Sequence, residues 1–313
     1  GLQHATPENL RDAFLHLDKI LLSDWKTQHT GSTGIVALIE EIEEPQEFLV
    51  MGREVLSSPS SSSLFDALEP QDRVGVARPS PQLTRLGGSE KPAFLITIAN
   101  VGDSRGTLFH SDGGFSILSR DHKPTNKEEL ERIKRAGGFV TVSPSSVPRV
   151  DGILALSRAF GDGLFKDNRE LGPTEQRVVA VPDVHTFFAF PGDVLMLACD
   201  GVYEPEAMNW VFVSHFMMTL LFELQNDLTE ASVKLLEQAY QSFSGDNISV
   251  LLTRFEKGEN KERLFRRFEV TPEGHVVSEG GASGDFAASA GEQSSIDAFK
   301  GPLLQAGSEP ITL

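Results

Sequence analysis

At 313 residues the chain is long enough to bury a full-sized core, and 39% hydrophobic with 23% charged residues places it among ordinary globular proteins. A formal net charge of −17 repels nucleic-acid phosphates and anionic membrane surfaces, which argues against both as partners. The single cysteine, Cys199, cannot form an internal disulfide, and no signal peptide follows Gly1, so a cytoplasmic or nuclear monomer is expected.

Thr6-Pro7-Glu8 combines an N-cap, a first-turn proline and an acidic first turn, predicting a helix from about Pro7 to Asp24 with Leu10, Phe14, Leu17 and Leu21 at helical spacing. Gly31-Ser32-Thr33-Gly34 leads into an apolar strand, Ile35 to Ile39. From 40 to 92 the chain carries an acidic run, the serine block Ser57 to Ser63 and scattered prolines, with too little apolar periodicity to pack. It reads as a mobile insertion. Strand Phe94 to Asn100 resumes the fold, and Asp112-Gly113 turns a hairpin between Gly106–His110 and Phe115–Leu118. Thr125 with Glu128 forms a capping box for a packing helix that carries Leu130 and Ile133 and closes at Gly137-Gly138.

Val150-Asp151-Gly152-Ile153 is a second hairpin signal, continued by a strand over Leu154 to Leu156. The loop-rich segment Gly161 to Gln176 is expected to expose Lys166, Asp167 and Arg169. Strands return at Val178 to Val181 and Val184 to Phe190. Helices follow over Glu206 to Gln225, and after Asp227, where Glu230 completes a capping box and Leu235, Leu236 and Ala239 turn inward. The apolar stretch Trp210 to Leu224 is interrupted by Ser214, His215 and Thr219 and falls short of the ~20 residues of a membrane span. A last strand runs Ile248 to Phe255, and 256–313 reads as a tail of little order behind a main domain over 1–255. Short strands with hairpin turns among a few helices give an α+β fold with mainly antiparallel sheets.

Three aspartates share one setting. The apolar run Val194 to Ala198 stops at Cys199-Asp200-Gly201, the strand from Phe94 runs into Gly102-Asp103-Ser104-Arg105, and Gly245-Asp246-Asn247 opens the final strand. Each Asp beside Gly, taken alone, also reads as a turn aspartate bonding its own backbone. Together, acids at three strand ends can converge on a hard divalent ion, and Mn²⁺ or Mg²⁺ would keep them all ionised despite their mutual repulsion. Asp103, Asp200 and Asp246 are the candidate metal ligands.

Ordered blocks carry a resemblance. Gly31-Ser32-Thr33-Gly34, Ala99 to Arg105, Asp121-His122-Lys123-Pro124 with Glu131-Arg132-Ile133 and Ala136-Gly137-Gly138, and Leu154 to Asp162 come first; Pro182-Asp183-Val184, Leu197 to Glu204 and Gly245 to Ile248 complete the series. From about Thr6 to Arg254, the insertion aside, the chain resembles the metal-dependent serine/threonine protein phosphatases of type 2C. The resemblance implies a sandwich of two mainly antiparallel β-sheets flanked by helices, two Mn²⁺ or Mg²⁺ ions in the cleft, and hydrolysis of phosphoserine or phosphothreonine in phosphoprotein substrates by a metal-bridging hydroxide. On matching positions Asp200 and Asp246 would be core ligands and Asp103 would serve a weaker third ion. Asn247 would orient ligands and backbone, and Arg158 and Asp162, beside the flap Gly161 to Gln176, also read as an internal ion pair.

The chain departs from the family pattern in two ways. Glu204 stands where relatives carry a second aspartate. The N-terminal blocks that supply a phosphate-binding arginine, a metal-binding glutamate and an Asp-Gly-His-Gly element with the general-acid histidine are absent, so no general acid is assigned. His4, His16 and His29 follow no Asp-Gly pair and read as surface histidines. The domain is therefore expected to be N-terminally incomplete and the chain as written to have little or no activity, the enzyme being its longer parent. A catalytically inactive pseudophosphatase acting as a binding module, and a calcium-stabilised structural domain, are the alternatives. A cysteine nucleophile fails because Pro205 stands where a phosphate-binding Arg is needed, and an aspartyl-phosphate route fails because Val202 replaces its second Asp. Cys199 reads as an inert core thiol.

Overall fold

The computed structural model describes residues 6–41, 93–143, 146–204, 208–256, 267–270 and 276–279. Helix α1 (Pro7–Leu21) leads to strands β1 (Gly31–Ser32), β2 (Gly34–Glu41), β3 (Phe94–Val101), β4 (Arg105–Phe109) and β5 (Phe115–Ile117). Helix α2 (Lys127–Arg135) is followed by β6 (Val140–Ser143), β7 (Ser146–Val150), β8 (Phe160–Gly161), β9 (Asp183–Ala189) and β10 (Val194–Ala198). Helices α3 (Trp210–Glu223) and α4 (Leu228–Gln241) precede β11 (Ser249–Arg254), β12 (Arg267–Val270) and β13 (Val276–Glu279).

Two antiparallel sheets organise these elements, one in the order β2-β3-β9 and one in the order β13-β12-β11-β10-β4-β5. Strand β3 is buried along its whole length, so its period-two alternation supplies two apolar faces rather than one. Phe94, Ile96 and Ile98 join Val194 and Met196 in the central core, whereas Ala99 and Val101 meet Leu10 and Phe14 of α1 on the other side. Val213, Met217, Leu220, Leu235, Leu236 and Ala239 of α3 and α4 enter the central core too. The architecture is the expected α+β fold of antiparallel sheets and helices. Two smaller pairs, β1 with β8 and β6 with β7, lie apart from the main sheets.

Several elements differ from their sequence-based bounds. Thr6 caps α1 as expected, its Oγ1 accepting the Asn9 amide at 3.2 Å, but the helix stops at Leu21 and buries Leu10, Phe14 and Asp18 while Leu17 stays exposed. The i, i+4 stripe continues through Asp18 because Lys166 meets it: Nζ donates to both carboxylate oxygens, at 2.7 and 2.9 Å. Lys166 is thus a buried side chain, not an exposed loop cation. Glu40 and Glu41 extend β2 instead of opening the insertion, whose residues from 42 to 92 lie outside the described set. No side chain caps α2, for Asn126 takes the N-cap position and donates instead to the Asp121 carbonyl at 2.8 Å. Asp151-Gly152 does turn the chain, but Leu154 makes only an isolated bridge to Val150, and Val178 to Val181 contributes only a bridge from Val179 to Arg158. Within the segment read as a tail, Arg267-Phe268-Glu269-Val270, which alternates polar and apolar, pairs onto β11, and Val276-Val277-Ser278-Glu279 pairs onto β12 in turn. No helix among the described residues is long and apolar enough to cross a membrane.

Candidate metal centre

Strand polarity gathers the three candidate acids. β4 and β11 both run antiparallel to β10, with Ala198 opposite Arg105 on one side and Val250 on the other, so the start of β4, the end of β10 and the start of β11 share one edge. Continuing the first register by two residues sets Asp200 across from Asp103. Asp246 arrives from the other side, for the Asp200-Gly201 turn packs on Asp246-Asn247 so closely that a Cβ on Gly201 would collide with the Asn247 carbonyl oxygen. That close approach is the physical need for glycine there.

Local contacts fix each loop. Val202 and Tyr203 are buried, anchoring the Asp-Gly-Val-Tyr turn while Asp200 stays exposed, and the Tyr203 amide donates to the Asp200 carbonyl at 2.7 Å. Cys199 is half-buried and polar in its contacts, contrary to the inert core reading. Its Sγ accepts the Ser249 amide at 3.1 Å and lies 3.2 Å from the Asn247 carbonyl, tying the end of β10 to the loop of Asp246. Glu204 Oε2 accepts the Gly245 amide at 2.8 Å and lies 3.2 Å from Ser244 Oγ, so this acid is engaged by the same loop.

Asp103 is buried, and Lys123 Nζ donates to its Oδ2 at 2.6 Å. Behind Lys123, Asp121 receives two bonds from the Arg105 guanidinium, at 3.0 and 2.9 Å, and that guanidinium lies over the rings of Tyr203 and Trp210. Gly102, at φ +106° and against Thr33, donates its amide to His122 Nδ1 at 3.0 Å, and the His122 amide returns a bond to the Gly102 carbonyl at 3.0 Å. Nδ1 is therefore the unprotonated nitrogen, and Nε2 faces Asp183 Oδ2 at 3.2 Å. Asp183 also meets Arg158 at 2.9 Å and Arg120 at 3.1 Å, and Arg158 reaches Glu129 at 2.7 Å. Arg158 is thus an internal ion-pair partner, whereas Asp162 makes no part of that pair and lies in a left-handed turn. Burial would raise Glu129, but Arg158, Arg132 and Ser157 outweigh it and bring its carboxyl down to about 2.

The electrostatics of the acids follow from this arrangement. Partial desolvation where the turns meet, then the Asp103 and Asp246 carboxylates, push the Asp200 carboxyl above its ordinary value even though the residue keeps solvent contact, with Lys123 opposing. A carboxylate raised by two neighbours is the donor set a hard cation relieves. Yet among the described residues no three His, Cys, Asp or Glu side chains are grouped closely enough to hold a metal ion by themselves. Asp200 and Asp246 fit as part of an oxygen shell, and Asp103 is already engaged by an ammonium group.

The protein phosphatase 2C family model matches residues 87–248, just over half of the chain. The chain belongs to the protein phosphatase 2C family. A solved structure of a phosphatase from a pathogenic strain of Toxoplasma gondii is 36% identical, with a TM-score of 0.62 over 89% of this chain and 79% of that one. Probable protein phosphatase 2C 3 of Paramecium tetraurelia is 39% identical over 170 residues, 52% of this chain and 54% of its own length. Protein phosphatase 2C homolog 2 of Saccharomyces cerevisiae is 46% identical over 116 residues, 36% of this chain and 24% of its own. The chain spans about half the length of the Paramecium relative. Members of the protein phosphatase 2C family generally depend on Mn²⁺ or Mg²⁺.

Lys123, Glu129, Asp183 and Asp18 were not singled out as functional by sequence reasoning. Lys123 and Asp183 stand inside the motif blocks, whereas Glu129 lies just outside them, two residues before Glu131-Arg132-Ile133. Asp18 offered no signal beyond its place on the apolar stripe of α1.

Proposed function

We propose that this chain is the larger part of a serine/threonine protein phosphatase domain whose Asp200 and Asp246 hold divalent Mn²⁺ or Mg²⁺ for hydrolysis of phosphoserine and phosphothreonine in cytoplasmic or nuclear phosphoproteins. The observation that carries it is the approach of Asp103, Asp200 and Asp246 at one edge of β4, β10 and β11. A divalent ion bound there supplies Lewis acidity that makes water nucleophilic toward phosphorus near neutral pH. The chain's own part is to present carboxylate oxygens from loops braced by Glu204, Cys199 and the buried ion network, so that little reorganisation accompanies binding.

A second reading, a non-catalytic binding module, has its own support: the 313 residues hold no Asp-Gly-His-Gly element, and the described acids do not close a ligand shell. Phosphopeptide hydrolysis separates the two. The chain alone should turn over little substrate, and a protein carrying an Asp-Gly-His-Gly block ahead of Gly1 should become active only with Mn²⁺ or Mg²⁺. Failure of that protein at saturating Mn²⁺ refutes the enzyme reading and leaves the binding module.

A further inference from the structure

The resemblance places a weaker third ion at Asp103, with Glu204 standing where a second aspartate would support it. Neither carboxylate is available in that way. Lys123 Nζ sits 2.6 Å from Asp103 Oδ2 and 3.6 Å from Asp121 Oδ2, while Glu204 is engaged by the Gly245 amide and Ser244. Asp121 is occupied by a two-pronged bond from Arg105, so it offers Lys123 little alternative should a cation displace the ammonium from Asp103. A displaced ammonium would also remain beside the incoming dication and repel it.

We propose that Lys123 is an internal counter-ion that holds Asp103 in place of a third divalent ion, so that this chain takes Mn²⁺ or Mg²⁺ only at Asp200 and Asp246. The inference rests on the metal reading above and goes beyond it in assigning Lys123 as a positioning residue that sets the number of ions.

The test counts Mn²⁺ bound by the 313-residue chain, from the electron paramagnetic resonance signal of the free ion. Asp103→Asn should leave the wild-type count unchanged. Lys123→Met, which keeps the aliphatic stem, should add about one Mn²⁺ per chain, and Asp103→Asn in that background should remove it. Lys123→Gln serves the same purpose if circular dichroism shows the Met variant unfolded, and if neither folds the wild-type comparison decides. The proposal is overturned if Asp103→Asn costs the wild-type chain a bound Mn²⁺, or if a folded Lys123 variant binds no more than wild type. Absence of any Mn²⁺ that is lost on Asp200→Asn or Asp246→Asn overturns it differently, by removing the metal reading on which it rests.

Discussion

Glu204 Oε2 accepts the Gly245 amide at 2.8 Å, so the acid that follows the Asp200 turn holds the loop that carries Asp246. The extra methylene of Glu over Asp is what reaches that amide. Glu204→Ala should cost about 1 kcal/mol through the lost hydrogen bond and weaken Mn²⁺ binding on the order of 10-fold through the loosened loop. Glu204→Gln, which retains an accepting carbonyl, should recover most of both. Thermal denaturation with a parallel Mn²⁺ titration checks this, and a Gln variant as weak as the Ala variant would show that charge, not the amide contact, matters.

The strand ends and their acids were legible because an apolar run bounded by Asp and Gly is a local pattern, which β3 and β10 declare where they stop and β11 where it starts. What holds the acids was not legible in the same way. Lys123 reaches back to Asp103 across 20 residues, Glu204 to Gly245 across 41, and Lys166 to Asp18 across 148, and no periodicity records such pairings. The same limit explains the strand expected at Leu154 to Leu156: its composition suits a sheet, but Ser157 and Arg158 turn the segment toward Glu129. Composition also hid β12 and β13, four-residue pieces whose strand character depends on pairing, β12 on β11 and β13 on β12.

Gly201 has no room for a side chain. A Cβ would strike the Asn247 carbonyl oxygen and lie 3.5 Å from the Asp246 Cβ, and both are loop atoms rather than flexible side-chain ends. Gly201→Ala should therefore destabilise by about 1–3 kcal/mol, the range for overpacking, and displace Asp246. A variant with wild-type melting temperature and Mn²⁺ affinity would contradict the close packing of the two turns.

Asp200 predicts a metal-linked pH dependence. Its carboxyl is raised in the folded chain by burial and by Asp103 and Asp246, so the folded state binds its proton more tightly than the unfolded chain does. In chelator, stability then falls as pH rises from the ordinary carboxylate value through the raised one, because ionisation brings in the repulsion. Asp200→Asn should flatten that slope and stabilise the metal-free chain at neutral pH by less than about 1 kcal/mol, given its exposure. It should also abolish stabilisation by Mn²⁺. Melting curves in EDTA between about pH 4 and pH 7 test the slope, and identical slopes for the variant and wild type would remove the basis for crowded acids.

Glu129 predicts the opposite sign. Its carboxyl, brought down to about 2, contributes stability that is complete above the ordinary glutamate value and lost as pH falls toward 2. Glu129→Gln leaves Arg132 and Arg158 buried together without their shared anion and should cost about 3–5 kcal/mol at neutral pH. The deficit should shrink as pH is lowered below roughly 4, where the unfolded wild-type chain takes up a proton that the folded one still refuses. Urea denaturation at several pH values resolves this, and a deficit independent of pH would assign the loss to packing.

The Asp18 and Lys166 pair joins α1 to the flap. Besides the two ion-pair bonds, Lys166 Nζ donates to the Ala159 carbonyl at 2.8 Å and the Gly161 amide donates to Asp18 Oδ1 at 2.8 Å, so the pair also satisfies the backbone where the flap begins. Removing either charge strands the other in a buried site, and Asp18→Leu or Lys166→Met alone should each cost about 3–5 kcal/mol. The double variant should cost less than the sum of the two, because no orphan charge remains, although the Gly161 amide still loses its acceptor. Trypsin should cleave after Arg169 faster in either single variant as the flap detaches from α1. Strictly additive losses, with cleavage at the wild-type rate, would mean that the two side chains stabilise the fold separately and that the flap is held by its other contacts, such as Asn168 to the Ala136 carbonyl and Arg132 to the Gln176 carbonyl.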